Sequence, residues 1–258
     1  NIALAIYGGL IEAGYPPQSI TVSDPSPEQG ALATAMGLKW QADNASAIAT
    51  ADIVLICVKP NWVETVCQEL TASLQDQTLV SVAEGVTTAQ ISQWSGTDRV
   101  IRCMPNTPAL VGAGMTVLSV DANTSAADEA RIKALLDSVG ETACLPEELQ
   151  DAVTAISGSG PAYVFAFMEA LEKAGVEMGL PAEVCRKLVQ QTVYGASKLA
   201  MESETDPGEL RRRVTSPGGT TQAALTEFNA GGFGDLIDRA AHAARDRSQE
   251  LGSAGQRG

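Results

Sequence analysis

The sequence is poor in the side chains that form metal centres and disulfide frameworks. It has one histidine, His242, and its five cysteines lie without any CxxC spacing. An odd number of scattered cysteines favours reduced thiols over disulfides, which predicts a cytoplasmic protein. No metal site is predicted from these residues.

The sequence is also poor in positive charge. Its 17 lysines and arginines face 31 aspartates and glutamates, for a net charge of −14. Nucleic acids and anionic membranes are held by clusters of lysine and arginine, so neither is expected as the main partner. No apolar run is long enough to span a bilayer, and the first residues lack the basic region and cleavage site of a signal peptide. The chain is expected to be soluble.

From residue 20 to about residue 145, short β-branched runs alternate with helical stretches, a pattern typical of an α/β fold. The strand-like runs are apolar almost throughout, which predicts a mostly parallel sheet buried on both faces. The predicted strands are 20–23, 53–58, 79–82, 100–104, 115–120 and 141–145. The predicted helices of this part are 27–36, 61–74 and 126–138.

After Pro146 the strand-like runs stop, and long segments rich in alanine, leucine, glutamate and lysine predict an all-helical second domain. The predicted domains are therefore 1–146 and 147–258. The predicted helix 162–178 is apolar around most of its circumference, which indicates burial on more than one side. A partner subunit could supply the second side. A break is predicted at 157–161, where small residues precede Pro161.

Residues 1–13 are predicted to form a helix with no strand before it. About twenty residues after Ala3, Asp24 ends a predicted strand, as the acidic residue of a dinucleotide-binding fold does. If Asn1 and Ala3 are the fourth and sixth residues of a G-x-G-x-x-A fingerprint, the first strand and both leading glycines lie upstream. The first domain is thus expected to be Rossmann-like, with its first strand missing from this chain and cofactor contacts at Asn1 and Ile2.

Residues 213–221 read Arg-Val-Thr-Ser-Pro-Gly-Gly-Thr-Thr and precede a predicted helix. Two glycines let the backbone approach a small ligand, and the free amides and positive end of a helix favour a carboxylate. The alternative is an ordinary helix N-cap at Ser216 or Thr220.

Several segments together resemble one family, the pyrroline-5-carboxylate reductases, which make proline by reducing a cyclic imine with a nicotinamide cofactor. The resemblance covers essentially the whole chain, and the order and spacing of the segments make it specific. The segments are Cys-Val-Lys-Pro at 57–60, Glu-Gly-Val-Thr at 84–87, Arg-Cys-Met-Pro-Asn-Thr-Pro at 102–108, Ser-Gly-Ser-Gly-Pro-Ala-Tyr at 157–163, and Asp-Pro-Gly-Glu-Leu at 206–210, which runs into 214–221.

The resemblance implies a set of cofactor contacts. Asn44 resembles a residue at the adenosine end, although it is most simply an N-cap. For Lys59 the more usual place of a lysine is the solvated face of the next helix, and Asn106 could equally satisfy turn amides instead. The cofactor-binding residues expected in addition to Asn1 and Ile2 are Ser23, Asp24, Asn44, Val58, Lys59, Pro60, Glu84, Gly85 and Asn106.

NADPH is the expected cofactor, because reductases of this family commonly use it. Ser23 and Ser26 could accept its extra phosphate. Asp24, however, is the kind of carboxylate that binds a free ribose and repels that phosphate, so NADH is possible as well.

The resemblance also implies the substrate site and the assembly. Thr221 is the expected catalytic residue, because it would hydrogen-bond the ring nitrogen, while the amides of Gly219 and Thr220 would hold the carboxylate. Ser216, which would shape the turn, and Gly218 are expected to bind the substrate as well. A substrate nitrogen that is already protonated needs no strong general acid, so His242 is not expected to act. The helical domain is expected to form a homodimer or a higher oligomer.

Two other functions remain open at this stage. One is a two-domain dehydrogenase of the 3-hydroxyacid type with a catalytic lysine, but Lys173, Lys187 and Lys198 lie in no glycine-rich helical motif. The other is a dinucleotide-binding regulator without turnover, against which the intact glycine-threonine turn argues.

Overall fold

The structure, a computed structural model, describes residues 2–119 and 124–254. The described residues form two compact units. The first is the chain up to Pro161 together with the chain from Ala243 onward, and the second is Ala162–His242. The domain boundary expected after residue 146 remains a prediction.

The first unit is built on parallel strands, as the sequence predicted. Five strands pair in the order β3-β4-β5-β6-β7, and β1 pairs with β2 in a separate two-stranded sheet. Every pairing is parallel except the one between β5 and β6. The strands are β1 (Thr21–Ser23), β2 (Lys39–Gln41), β3 (Ile53–Ile56), β4 (Thr78–Ser81), β5 (Val100–Met104), β6 (Gly114–Ser119) and β7 (Gly140–Leu145).

Helices connect and follow the strands. Short 3₁₀ segments add Pro17–Ser19, Pro60–Trp62, Thr107–Val111 and Glu147–Leu149. The α-helices are α1 (Ile2–Glu12), α2 (Pro27–Ala35), α3 (Asn44–Ile48), α4 (Val63–Leu70), α5 (Thr88–Ser95), α6 (Ala126–Asp137), α7 (Gln150–Val153), α8 (Gly160–Glu177), α9 (Ala182–Glu202), α10 (Pro207–Arg213), α11 (Thr220–Ala230) and α12 (Phe233–Ala254).

The strand order bears on the strand expected before Asn1. Among the described residues, β1 pairs only with β2, and β3 pairs only with β4. A Rossmann sheet has the order 3-2-1-4-5-6, in which its first strand lies between the strands that correspond to β1 and β3. That additional strand remains a prediction.

The core lies on both faces of the five-stranded sheet. On one face, Val80 and Ile101 pack with Ile6 of α1 and with α6. On the other face, Leu79 and Val100 pack with helices that include Val63 of α4. Successive strand residues point to opposite faces, so neighbours such as Leu79 and Val80 belong to different core clusters. Burial on both faces explains why these strands are apolar throughout.

The break predicted at 157–161 is wrong. A π-helical turn, Thr154–Gly158, continues from α7, and α8 starts two residues later at Gly160. Pro161 is the second residue of α8, where its missing amide removes no hydrogen bond, so the helix tolerates it. The small residues of this segment therefore form a bulge in a nearly continuous helical path.

The second unit is helical and exposes many large apolar side chains. Phe165 is 60% exposed, Tyr194 is 61% exposed and Met201 is 78% exposed. Within its helices, Cys185 and Val189 of α9 are buried. None of the helices in the described ranges combines the length and the apolar character needed to cross a bilayer.

Gly9 allows α1 to pack tightly, and this contact yields a prediction. A Cβ at Gly9 would overlap the carbonyl oxygen of Ala109 and lie 2.8 Å from Cγ1 of Val139. Neither group can move freely, so Gly9→Ala is expected to lower the free energy of unfolding by about 1–3 kcal/mol. Urea denaturation measures the change.

Gly8 is the matched control for this prediction. A Cβ there meets only the end of the exposed, flexible Leu110 side chain, at 3.0 Å. Gly8→Ala should be neutral or stabilising by up to about 1 kcal/mol, because alanine favours helix. Equal destabilisation by both changes would contradict the proposed contact at Gly9.

Candidate functional site

The structure brings together two residues predicted to contact the adenosine end of a cofactor. Oγ of Ser23, at the end of β1, donates to Oδ1 of Asn44 at 2.7 Å. Nδ2 of Asn44 donates to Oε2 of Glu69 at 2.8 Å. The network therefore joins the carboxyl end of β1 to the start of α3 and the end of α4, where parallel α/β sheets bind ligands.

Asn44 is not the N-cap of α3, so that interpretation of the sequence is wrong. Asp43 is the cap, and its Oδ2 accepts from the Ser46 amide at 2.7 Å. Hydrogen bonding with the Ser46 side chain and, second, with its amide holds the pKa of Asp43 below its ordinary value. Asn44 is the first helical residue, which leaves its amide side chain to bind Ser23 and Glu69.

Asp24 lies directly after β1. Its Oδ1 accepts from the Ser26 amide at 2.8 Å, and its carbonyl oxygen accepts from Nε1 of Trp40 at 3.0 Å. Burial and the negative charge of Asp24 raise the pKa of Tyr7 in α1. One hydrogen bond, from the Ser26 amide, therefore orients the carboxylate, and its charge is felt by Tyr7 of α1.

The residues that follow Cys57, directly after β3, open toward solvent. Val58 is 37% exposed, Lys59 is exposed, and Pro60 begins the 3₁₀ helix for which Lys59 is the N-cap residue. Within the described ranges Lys59 has no ion-pair partner. This geometry suits either interpretation made from the sequence, a solvated lysine or one beside a phosphate.

Gly85, after β4, packs against α12. It has φ +75°, and a Cβ there would lie 2.6 Å from the amide nitrogen of Gly252. Glycine is needed at this position for its backbone conformation and for the close approach of the helix. Glu84 is half-buried beside it. The roles of both residues in cofactor binding stay predictions.

Asn106 ties together three parts of the first unit. Its Oδ1 accepts from the Met115 amide at 2.8 Å, and its Nδ2 donates to the Ser157 carbonyl at 3.2 Å. Both ends of the side chain are therefore used within the fold, as one of the two sequence interpretations expected. Ile2 is half-buried and packs against the core, while Asn1 lies outside the described residues.

The turn before α11 presents backbone amides in the second unit. Gly218 has φ +72°, and its amide donates to Oε1 of Gln222 at 2.5 Å. The amide of Gly219 donates to the Ser216 carbonyl at 3.0 Å. Among the described residues, the amides of Thr220 and Thr221 have no hydrogen-bond acceptor. The sequence analysis expected the amides of Gly219 and Thr220 to be free. The free amides are instead those of Thr220 and Thr221, one position later in the chain.

The N-cap alternative for this turn is wrong. The cap of α11 is Gly219, which has no side chain to bind the helix amides, and the Ser216 side chain is exposed. Gln222 was missed by the sequence analysis, although a glutamine at the third position of a helix often reaches back to the preceding turn. It fixes the turn while leaving the first helical amides available.

The environments of the cysteines and the histidine do not favour a role as catalytic nucleophiles or proton donors. Burial raises the pKa of Cys57 to about 12 and that of Cys67 to about 11. His242 is exposed on α12, with Nδ1 at 2.9 Å from the Asp238 carbonyl. The described residues contain no cluster of three or more potential metal ligands.

These thiol environments predict selective alkylation. At pH 8 the thiolate fraction of Cys57 should be about a thousandfold below that of an ordinary cysteine, because the pKa is about three units higher. Cys144 is exposed and should react with iodoacetamide first. Peptide mass mapping measures the order, and all five cysteines should react in urea. Equal labelling of Cys57 and Cys144 in the folded protein would contradict this assignment.

Comparison with known proteins matches this architecture. A family model described as pyrroline-5-carboxylate reductase dimerisation matches residues 147–251, and one described as NADP oxidoreductase, coenzyme F420-dependent, matches residues 1–85. The pyrroline-5-carboxylate reductase of Pseudomonas aeruginosa is 46% identical over 97% of this chain and 93% of its own length.

Solved structures agree. A pyrroline-5-carboxylate reductase from Coxiella burnetii matches with 37% identity and a TM-score of 0.89, covering 97% of this chain and 94% of that one. A Plasmodium falciparum pyrroline carboxylate reductase, solved with NADP bound, matches with 28% identity and a TM-score of 0.89 over the same shares of both chains. The chain belongs to the pyrroline-5-carboxylate reductase family.

Proposed function

We propose that this protein reduces 1-pyrroline-5-carboxylate to L-proline with NAD(P)H, the last step of proline biosynthesis. Membership of the reductase family supports the reaction. The observation within the chain that supports it most is the pair of unpaired amides at Thr220 and Thr221. They give a small carboxylate a place to bind.

The substrate carboxylate is held at the start of α11. This helix has 11 residues, so its N-terminus carries the positive end of a full macrodipole. The amides of Thr220 and Thr221 donate to the two carboxylate oxygens, while Gln222 keeps the turn in place through Gly218. No buried lysine or arginine is needed, because helix N-termini bind anions on their own.

Thr221 positions the ring nitrogen. The Thr221 side chain is half-buried. Its hydroxyl makes no hydrogen bond to any other described residue. The hydroxyl oxygen can accept from the protonated imine nitrogen, which orients the ring and stabilises its charged form. Holding the imine and the nicotinamide close together in a reactive orientation supplies most of the rate enhancement. A separate proton donor is therefore not required.

The first unit fits a dinucleotide. Polar or open segments follow β1 and β3 at their carboxyl ends, where Rossmann sheets bind such ligands. A bound NAD(P)H supplies the hydride for the imine carbon. Ser23 and Asn44 would contact its adenosine end, Asp24 its ribose, and Lys59 its phosphates. The NADP bound to the Plasmodium relative supports NADPH as the main cofactor.

An assay separates this function from its rivals. The purified protein is mixed with NADPH and 1-pyrroline-5-carboxylate, and loss of the nicotinamide absorbance is followed. Turnover is the expected result. Turnover of a 3-hydroxy acid with NAD⁺ instead would favour the other dehydrogenase class, and binding without any turnover would favour a regulator.

We also infer a homo-oligomer formed through the helical region. The dimerisation family matched at residues 147–251 supports it. So do the exposed apolar side chains of Phe165, Tyr194 and Met201, because monomeric proteins rarely leave large apolar patches in water. A cytoplasmic location is proposed in addition, and the five free thiols support it.

Thr221→Ala should lower turnover roughly ten- to hundredfold, because a hydrogen bond to a charged group is lost. Thr221→Ser should keep most of the activity. Thr226→Ala is the matched control, since the Thr226 hydroxyl donates to the Gln222 carbonyl on the same helix. Circular dichroism checks that α11 is intact. Unchanged turnover in Thr221→Ala would remove this residue from the mechanism.

Asp24→Asn should shift the cofactor preference toward NADPH by about tenfold, because a negative charge near the ribose phosphate is removed. The asparagine oxygen can still accept from the Ser26 amide. Asp43→Asn is the control, since this exposed carboxylate caps α3. The ratio of kcat/KM for NADPH and NADH is the measurement. An unchanged ratio would place Asp24 away from the phosphate.

A further inference from the structure

A cavity in the first unit contains charged groups that the proposed reaction does not use. Its volume is about 230 Å³, and its lining includes Thr87, Arg102, Asp151, Ser248 and Gly252. One water occupies about 30 Å³ of liquid volume, so this space suits several waters or one small organic molecule.

Arg102 of β5 lines this cavity and is only weakly paired. Its side chain is 4% exposed. Nη1 lies 3.4 Å from Oε1 of Glu147, while Nε and Nη2 are buried with no hydrogen-bond partner. The Glu147 carboxylate already accepts from the amide of Thr88 at 2.9 Å and from its hydroxyl at 2.7 Å. The guanidinium therefore lacks a full complement of acceptors.

A buried guanidinium with unmet donors is costly. Charged groups inside proteins are normally paired and hydrogen-bonded, and leaving donors without acceptors costs free energy that an incoming acceptor can recover. A carboxylate is the best match, because its two oxygens fit the planar donor edge of arginine.

Asp151 of α7 is the second charged group of the cavity. Its Oδ1 accepts from the Ser248 hydroxyl at 2.7 Å, which links α7 to α12. A carboxylate here repels doubly charged anions such as phosphate and attracts a positively charged nitrogen. One cation and one carboxylate in the same small cavity match a ligand with both charges.

We propose that this cavity binds a small α-amino or imino acid as its zwitterion. The ligand carboxylate accepts from Arg102, and its charged nitrogen donates to Asp151. The ligand joins the strand of Arg102 to α7, whose Asp151 is hydrogen-bonded to Ser248 of α12, so its binding stabilises the first unit. This site shares no residue with the turn before α11, although Gly85, one of the predicted cofactor contacts, also lines the cavity.

Isothermal titration without cofactor tests the site with L-alanine and L-proline as probes. At least one of them should bind with one-to-one stoichiometry and raise the melting temperature. Asp151→Asn should weaken that binding at least about tenfold, because the charge is removed while Oδ1 still accepts from Ser248. Arg102→Lys should weaken it similarly, since lysine keeps the charge but loses the planar donor edge.

Two surface substitutions of the same type are the controls. Arg131→Lys and Asp246→Asn change exposed groups outside the cavity and should leave the affinity unchanged. Acetate, ethylammonium and inorganic phosphate should bind at least about tenfold more weakly than the amino acid, because each offers only part of its charge pattern.

Three results would overturn the proposal. Phosphate or acetate binding as tightly as the amino acid would show a simple anion site. Amino-acid binding that is lost in Thr221→Ala but kept in Asp151→Asn and Arg102→Lys would belong to the turn before α11. Absence of heat and of any melting shift with both probes would show that the cavity holds only water.

Discussion

Burial of β3, β4 and β5 on both faces is the constraint on which the first unit depends. Helices cover each face, so adjacent strand residues such as Leu79 and Val80 enter different core clusters. Parallel strands packed in this way have their carboxyl ends at one edge of the sheet. The polar residues that follow these strands therefore lie at that edge. The position of Lys59, three residues after β3, therefore follows from hydrophobic packing before any ligand is considered.

The same packing explains which elements the sequence could reveal. Long apolar strands were predicted within one or two residues of their observed bounds. Strand β2 was missed because it has three residues, of which Lys39 and Gln41 are exposed. The sequence analysis predicted a break at the π-helical turn. A proline preceded by small residues is typical of a loop, but it is also compatible with the first turn of a helix. Local composition does not distinguish these cases.

Site residues with distant partners were the hardest to predict. The glycine-threonine turn was evident from local spacing, and even Gln222 left a signal. Arg102, in contrast, stands in an apolar strand, and its ion-pair partner Glu147 comes 45 residues later in the chain. No feature of the neighbouring sequence indicates that the charge of Arg102 is buried. Likewise, Asp151 and Ser248 are 97 residues apart, so only the folded chain shows that they meet.

The π-helical turn at Thr154–Gly158 has a consequence for chain length. Such a turn holds one residue more than an α-helical turn, and each residue rotates the following side chains by about 100° around the axis. Removing a single residue there would restore regular winding and rotate the start of α8 by about 100° around the helix axis relative to α7. Homologous sequences should consequently tolerate substitutions in this segment far better than insertions or deletions.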